Sequence, residues 1–134
     1  MHELNHLHLL VTAYVDHPPQ TAQAGEEWLL RLVELIDMQI LMDAKAIYCE
    51  DLGNEGVTGI VGLTTSHSSF HSWSEIEKPF INFDIYSCRE FDVQTVFAHI
   101  HEAFGLTEAS YLLIDRNNGC NVILEQRNIT SADI

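Results

Sequence analysis

The sequence predicts an α+β fold, a two-layer sandwich in which an antiparallel β-sheet carries two helices on one face. The order of the periodic segments is the first reason: a strand and a helix, then a run of strands, then a helix and two strands. The second is that consecutive strands are joined by short turns, which suit antiparallel pairs and cannot make a parallel crossover. The third is that helical periodicity occurs twice, enough to cover one sheet face and leave the other to water or a partner subunit. At 134 residues the chain is about one domain long, and residues 1–134 read as a single domain.

Residues 4–15 (LNHLHLLVTAYV) are rich in aliphatic and β-branched side chains and stop at Asp16-His17-Pro18-Pro19, which predicts a strand closed by proline. From Thr21 to about Met38, a helix is expected, because Trp28, Leu29, Leu32, Val33, Leu35 and Ile36 recur at helical spacing. Thr21 is placed to cap it, with Glu26 and Glu27 near its positive end. Strands follow at about 40–49, 56–64, 67–75 and 80–88, separated by DLGNEG, a Thr-Ser step and EIEKP. Asp92 is a good cap for a second helix reaching Phe104, with Val93, Val96, Phe97, Ile100 and Phe104 as its apolar stripe and Gly105 as its stop. Two last strands, about 109–115 and 119–126, flank Asn117-Asn118-Gly119, whose Asn-Gly step signals a hairpin.

Composition narrows the function. With 46% hydrophobic and 19% charged residues the chain is too apolar for disorder, and no apolar run approaches the roughly 20 residues of a membrane helix. Twenty acidic against 6 basic residues give a net charge of −14, which repels a phosphate backbone and argues against a nucleic-acid partner. Cationic or zwitterionic small molecules suit it better. Cys49, Cys88 and Cys120 are odd in number and form no CxxC pair, so reduced thiols are expected rather than disulfides or a zinc knuckle. No basic segment and apolar core follow Met1, which makes the cytoplasm the default location. No metal is expected: His67 and His71 share a strand face, but His99 and His101, two apart on a helix, diverge by about 200°.

The chemistry concentrates between Gly56 and Cys88. Because side chains alternate across a strand, His67, Ser69, His71, Trp73 and Glu75 share one face. The same parity groups Phe80, Asn82, Asp84, Tyr86 and Cys88 on the next segment, and Thr58, Ile60, Gly62 and Thr64 on the preceding one. If these strands pair in register, a hydroxyl, an imidazole and a thiol converge. Taken singly, a Ser/His-rich strand is more often a solvated sheet face, and an apolar-flanked Cys a small core residue, so the group carries the signal.

The run Leu63-Thr64-Thr65-Ser66-His67-Ser68-Ser69-Phe70-His71-Ser72-Trp73-Ser74-Glu75, followed by Asp84-Ile85-Tyr86-Ser87-Cys88, resembles the prokaryotic S-adenosylmethionine decarboxylases. That family shows Glu-Ser-His, His-Thr-Trp-Pro-Glu and Asp-x-Phe-Thr-Cys steps in this order. The match extends to Gly56-Val57-Thr58-Gly59 and, more loosely, to His8-Leu9-Leu10-Val11. The resemblance implies a pyruvoyl enzyme that makes its own cofactor by cutting the chain between Thr65 and Ser66. Ser66 would be the nucleophile, Thr58 the hydroxyl assisting the acyl shift, and His71 the base for elimination. In turnover the amine of S-adenosylmethionine would condense with the pyruvoyl ketone, and Cys88 would reprotonate the carbon left when carbon dioxide departs. Trp73 and Glu75 would contribute to adenosine binding. The product would be the aminopropyl donor for spermidine synthesis, and the enzyme a homodimer that buries the open sheet face in a four-layer assembly.

The chain departs from the family pattern at four points. Thr65 stands where Glu usually precedes the processed Ser, Ser74 replaces Pro, Thr58 replaces Ser, and the spacing from His71 to Cys88 is about two residues longer. Two alternatives stay open: the same pyruvoyl chemistry on another amino acid such as arginine or ornithine, and an unprocessed homologue acting as a ligand-binding or regulatory module.

Overall fold

The computed structural model describes residues 5–117, 119–120 and 122–134. Residue 4, where the first strand was expected to start, and Asn118 of the expected Asn-Gly turn lie outside the described residues. Among the described residues the chain forms β1 (Leu7–Val15), α1 (Ala22–Leu35), β2 (Ile40–Cys49), β3 (Gly56–Leu63), β4 (Ser66–Trp73), β5 (Phe80–Ser87), α2 (Val93–Phe104), β6 (Leu106–Asp115) and β7 (Val122–Thr130), followed by a 3₁₀ turn at Ser131–Asp133. The strands make one antiparallel sheet in the order β2-β3-β4-β5-β1-β6-β7. The expected two-layer α+β sandwich is therefore present. No helix among the described residues is long and apolar enough to cross a membrane.

The helix ends follow the expected chemistry. Thr21 Oγ1 accepts the amide of Ala24 at 3.1 Å, Asp92 accepts that of Gln94 at 2.9 Å, and Gly105 closes α2 in the left-handed region at φ 68°. Three details differ from expectation. Leu35 is 38% exposed, because the stripe that meets the sheet continues through Ile36 and not through its neighbour. Glu26 does not merely sit near the helix dipole; its carboxylate accepts the amide of Ala46 on β2 at 3.0 Å. The last two strands are offset, since Gly105 turns the chain directly into β6 at Leu106, and β7 runs on to Thr130.

Both helices lie on the same side of the sheet, over a core that includes Leu9, Val11, Phe70, Phe83, Ile85 and Phe97. Trp28 of α1 sits at its centre, edge-on to Phe70 and Phe83 and flat against His99 of α2 at 4.8 Å. His99 Nε2 donates to the Trp28 carbonyl at 2.9 Å, while Trp28 Nε1 donates back to the His99 carbonyl at 3.4 Å. This reciprocal pair ties the two helices together. Burial holds the His99 imidazole below its usual pKa against the opposing hydrogen bond to Trp28. The unfolded chain therefore takes up this proton first as pH falls through about 6.5, and stability declines from there down through the folded-state value. Urea midpoints are expected to hold between pH 7 and 8 and to fall below 6.5. His99→Phe should remove part of that fall and, by deleting the bond to Trp28, should cost about 1 kcal/mol at pH 8. An unchanged pH profile in the variant would contradict the assignment.

Candidate active site

β3 and β4 are joined by only Thr64 and Thr65, with Leu63 paired to Ser66. Two-residue hairpin connections need left-handed backbone, usually supplied by Gly or Asn. Here Thr65 adopts φ 67°, a conformation that costs a β-branched residue about 1–3 kcal/mol. The strain thus falls on the residue that contributes the carbonyl of the Thr65–Ser66 bond.

A thiol is held on this turn. Thr65 Oγ1 lies 2.6 Å from the Thr64 carbonyl oxygen and 2.7 Å from Cys88 Sγ, and the thiol itself lies 3.9 Å from the same carbonyl, so the hydroxyl and the thiol share one acceptor. Cys88 follows the end of β5, where buried Ser87 fixes the backbone: its hydroxyl donates to the Arg89 carbonyl at 2.6 Å and accepts the Arg89 amide at 3.0 Å. A cavity of about 160 Å³ opens beside the turn, lined by Met38, Gln39, Thr64, Ser66, Cys88 and Arg89 among others. The longer spacing between His71 and Cys88 does not displace the thiol. The β4–β5 register runs unbroken from Trp73↔Phe80 to His67↔Tyr86, and the extra length is taken up in the turn at 74–79, at the opposite end of the strands.

The second pair of expected residues lies elsewhere. Thr58 and His71 face each other across β3 and β4, with Thr58 Oγ1 3.1 Å from His71 Nδ1. Gly56 and Gly59 let β3 pack this closely against its surroundings, since a Cβ at Gly56 would lie 1.7 Å from the Ser72 carbonyl oxygen and one at Gly59 would lie 2.7 Å from the Phe70 ring on the core face. Trp73 stacks on Phe80 at 4.7 Å, and its indole donates to Asn54 Oδ1 at 3.3 Å. Glu75 does not continue the alternation, because β4 ends at Trp73 and Glu75 stands exposed in the following turn. Ser66 and His71 are five positions apart along one strand, about 16 Å at the usual rise. Within one chain, then, Ser66 and Cys88 meet at one end of the hairpin and Thr58 and His71 meet at the other. The expected convergence of hydroxyl, imidazole and thiol does not occur in a single copy.

Between the two ends lies a cluster that sequence reasoning did not assemble. Asp84 accepts from His8 Nε2 at 2.7 Å and from Ser69 Oγ at 2.5 Å, and His67 Nε2 lies 3.5 Å away. Burial works to raise the Asp84 pKa, but the bonds from His8 and Ser69 and the nearby imidazoles outweigh it and hold the carboxyl below its ordinary value. The donor atoms of His8, His67 and Asp84 are close enough to hold a metal ion. However, Arg116 Nη1 stands 3.2 Å from His8 Nδ1 and can only donate, so Nε2 carries the His8 proton, the reverse of a metal-ligating histidine. We read the trio as a hydrogen-bonded cluster. Face parity already aligned His67 with Asp84; His8 needed the β1–β5 pairing, which no local signal in the sequence reveals.

The serine at a strained hairpin and the thiol beside it fit the class to which the resemblance points, the pyruvoyl-dependent decarboxylases. Residues 8–117 match the S-adenosylmethionine decarboxylase family. The S-adenosylmethionine decarboxylase proenzyme of Archaeoglobus fulgidus is 32% identical over 95 residues, covering 69% of this chain and 82% of that protein. The chain belongs to the S-adenosylmethionine decarboxylase family.

Strain at Thr65 is directly measurable. In a Ser66→Ala background, Thr65→Asn should raise the unfolding free energy by about 1 kcal/mol, because Asn tolerates the left-handed backbone. Urea denaturation checks this, and a loss of stability would show that the turn is not strained.

Proposed function

We propose that the chain is a proenzyme that cuts itself between Thr65 and Ser66 and then decarboxylates S-adenosylmethionine, supplying the aminopropyl donor for spermidine synthesis. The observation that carries this reading is the strained Thr65 immediately before Ser66, with Cys88 held on the same turn. Ser66 Oγ attacks the Thr65 carbonyl carbon, and the acyl group passes from nitrogen to oxygen as the C–N bond breaks, leaving an ester and a free amine. His71 removes the Cα proton of residue 66, and the Thr65 carboxylate departs from Cβ. The dehydroalanine that remains takes up water and releases ammonia, leaving a pyruvoyl group at position 66. Thr58, hydrogen-bonded to His71, assists the acyl shift.

The residues fit such a group: it would occupy the first position of β4, beside Cys88 and the small cavity at the turn. When formed, it supplies a ketone that accepts the electron pair released by the departing carbon dioxide. Cys88 then delivers a proton to the substrate carbon. Trp73 and Glu75 serve adenosine binding. Cutting this bond leaves the sheet whole. Residues 1–65 supply β1, β2 and β3, and residues 66–134 supply the rest, with β1 paired between β5 and β6 and β3 paired to β4. Three inter-fragment ladders replace one peptide bond.

A separation of about 16 Å within one chain supports a site assembled between two copies, with Ser66 and Cys88 from one chain and Thr58 and His71 from the other. The open sheet face is suited to pairing. It exposes Leu10, Ile47 and Ile60 and carries a groove of about 540 Å³ lined by residues including Leu10, Ser69, His71, Asp84 and Leu112. A homodimer formed there has the expected four layers.

Purified protein should resolve into two fragments on a denaturing gel but elute as one species under native conditions, and a persistent 15.2 kDa chain would overturn the reading in favour of an unprocessed module. Ser66→Ala should stay whole, while Cys88→Ala should cut normally and lose turnover. Carbon dioxide release from S-adenosylmethionine, compared with arginine and ornithine, identifies the substrate. Co-expressed Ser66→Ala and His71→Ala chains should regain activity that neither shows alone, since one of the two sites in a mixed dimer is intact. Failure of that complementation, or a monomer by light scattering, would refute the shared site.

A further inference from the structure

Once the chain is cut, residue 66 is a chain terminus, and strand termini fray unless something ties them down. Residue 67 is therefore the first side chain able to hold position 66 beside Cys88. His67 lies directly opposite Tyr86, two residues before Cys88, with the two rings stacked 5.9 Å apart at 7°. Its Nε2 lies 3.5 Å from Asp84 Oδ2, and its ring meets His8 edge-on at 6.2 Å. Tyr86 is itself fixed: Arg116 lies 4.7 Å over its ring, and its hydroxyl is 2.8 Å from His6 Nδ1. Cys88 and the His67 platform of Tyr86 and Asp84 all belong to the 66–134 fragment, whereas His6 and His8 belong to the other.

We propose that His67 is a positioning residue, a clamp that holds the new N-terminus of the cut chain against β5 and so keeps the group at position 66 beside Cys88. This rests on the processing reading above. Before cutting, the covalent turn fixes residue 66 and the clamp is dispensable. Afterwards the stack on Tyr86 and the contact with Asp84 take over, with His8 extending the hold to the first fragment. The side chain of His67 lies outside the helix-covered core and is 47% exposed in the single chain, so its removal opens no cavity in that core.

His67→Ala and His67→Phe in the full chain test the clamp. The alanine variant should cut completely by intact mass, yet exchange its amides at residues 67–70 about tenfold faster than cut wild type. It should also lose about ten- to a hundredfold in kcat, the size of effect expected from a reacting group held loosely. In the uncut Ser66→Ala background the same substitution should change exchange far less. His67→Phe keeps a ring to stack on Tyr86 and should recover most of the protection. A cut wild type with unaltered exchange and kcat in the alanine variant overturns the clamp alone. An alanine variant that folds but does not cut assigns His67 to processing and overturns it too, whereas a wild type that never cuts overturns the processing reading along with it.

Discussion

Two buried hydroxyls fix the register on which every other placement depends. Ser68 and Ser72 point into the helix-covered face of β4 and flank Phe70. Ser68 Oγ donates to the Asp84 carbonyl on β5 at 2.8 Å, and Ser72 Oγ accepts the Val57 amide on β3 at 2.8 Å. A one-residue slip would carry Phe70 out of the core and bury His67 and His71. It would also strand both hydroxyls, at about 1–3 kcal/mol each. Among the described residues no buried side-chain nitrogen or oxygen lacks a partner, so this is a satisfied network and not a tolerated defect. With β4 locked on both sides, the Thr64-Thr65 connection has no slack, and the left-handed strain at Thr65 follows from the ladder.

The same ladder would let the sheet survive the cut proposed at Thr65–Ser66. A cut in a surface turn between adjacent, paired strands removes little enthalpy, and it relieves the one backbone conformation that a β-branched residue resists. The sheet order then matters more than the turn. Because β1 is the fifth strand in space although first in sequence, on the processing reading it sits between strands of the 66–134 piece, and neither piece could leave without breaking all three ladders that join them. The Trp28–His99 pair adds a helix-to-helix tie between the same two fragments.

Much of this was legible in the sequence. Period two through residues 67–73 and 80–87 assigns inner and outer faces correctly, because alternation is a local property, and the caps Thr21, Asp92 and Gly105 are local for the same reason. Distances along a strand were not, although the arithmetic was available: Ser66 and His71 share an element and therefore cannot share a site within one chain. Periodicity fails at Leu35 and Glu75, which lie past the point at which packing enforces it. The His8–Asp84–Arg116 cluster was invisible because it joins β1, β5 and β6, whose adjacency comes from topology and from no short-range signal.

The charge of −14 bears on how the open face is used. Strands β3, β4, β5, β1 and β6 place only two carboxylates on it among the described residues, Asp84 and Glu108. Asp84 is bonded to His8 and Ser69, and Glu108 is paired with Lys78, which also lies over the Tyr14 ring. Arg116, one of the chain's six cations, stands on the same side, over the Tyr86 ring. Acidity is thus kept away from the surface that the dimer reading covers, which is what two strongly negative copies need if they are to approach. The remaining acids still repel at longer range, where salt screens them within about 10 Å at 0.1 M. Association should therefore strengthen with salt, against the usual behaviour of complementary charged interfaces. Sedimentation at low and high ionic strength would show it, and weaker dimerisation in high salt would mean that ion pairs, rather than the apolar face, hold the copies together.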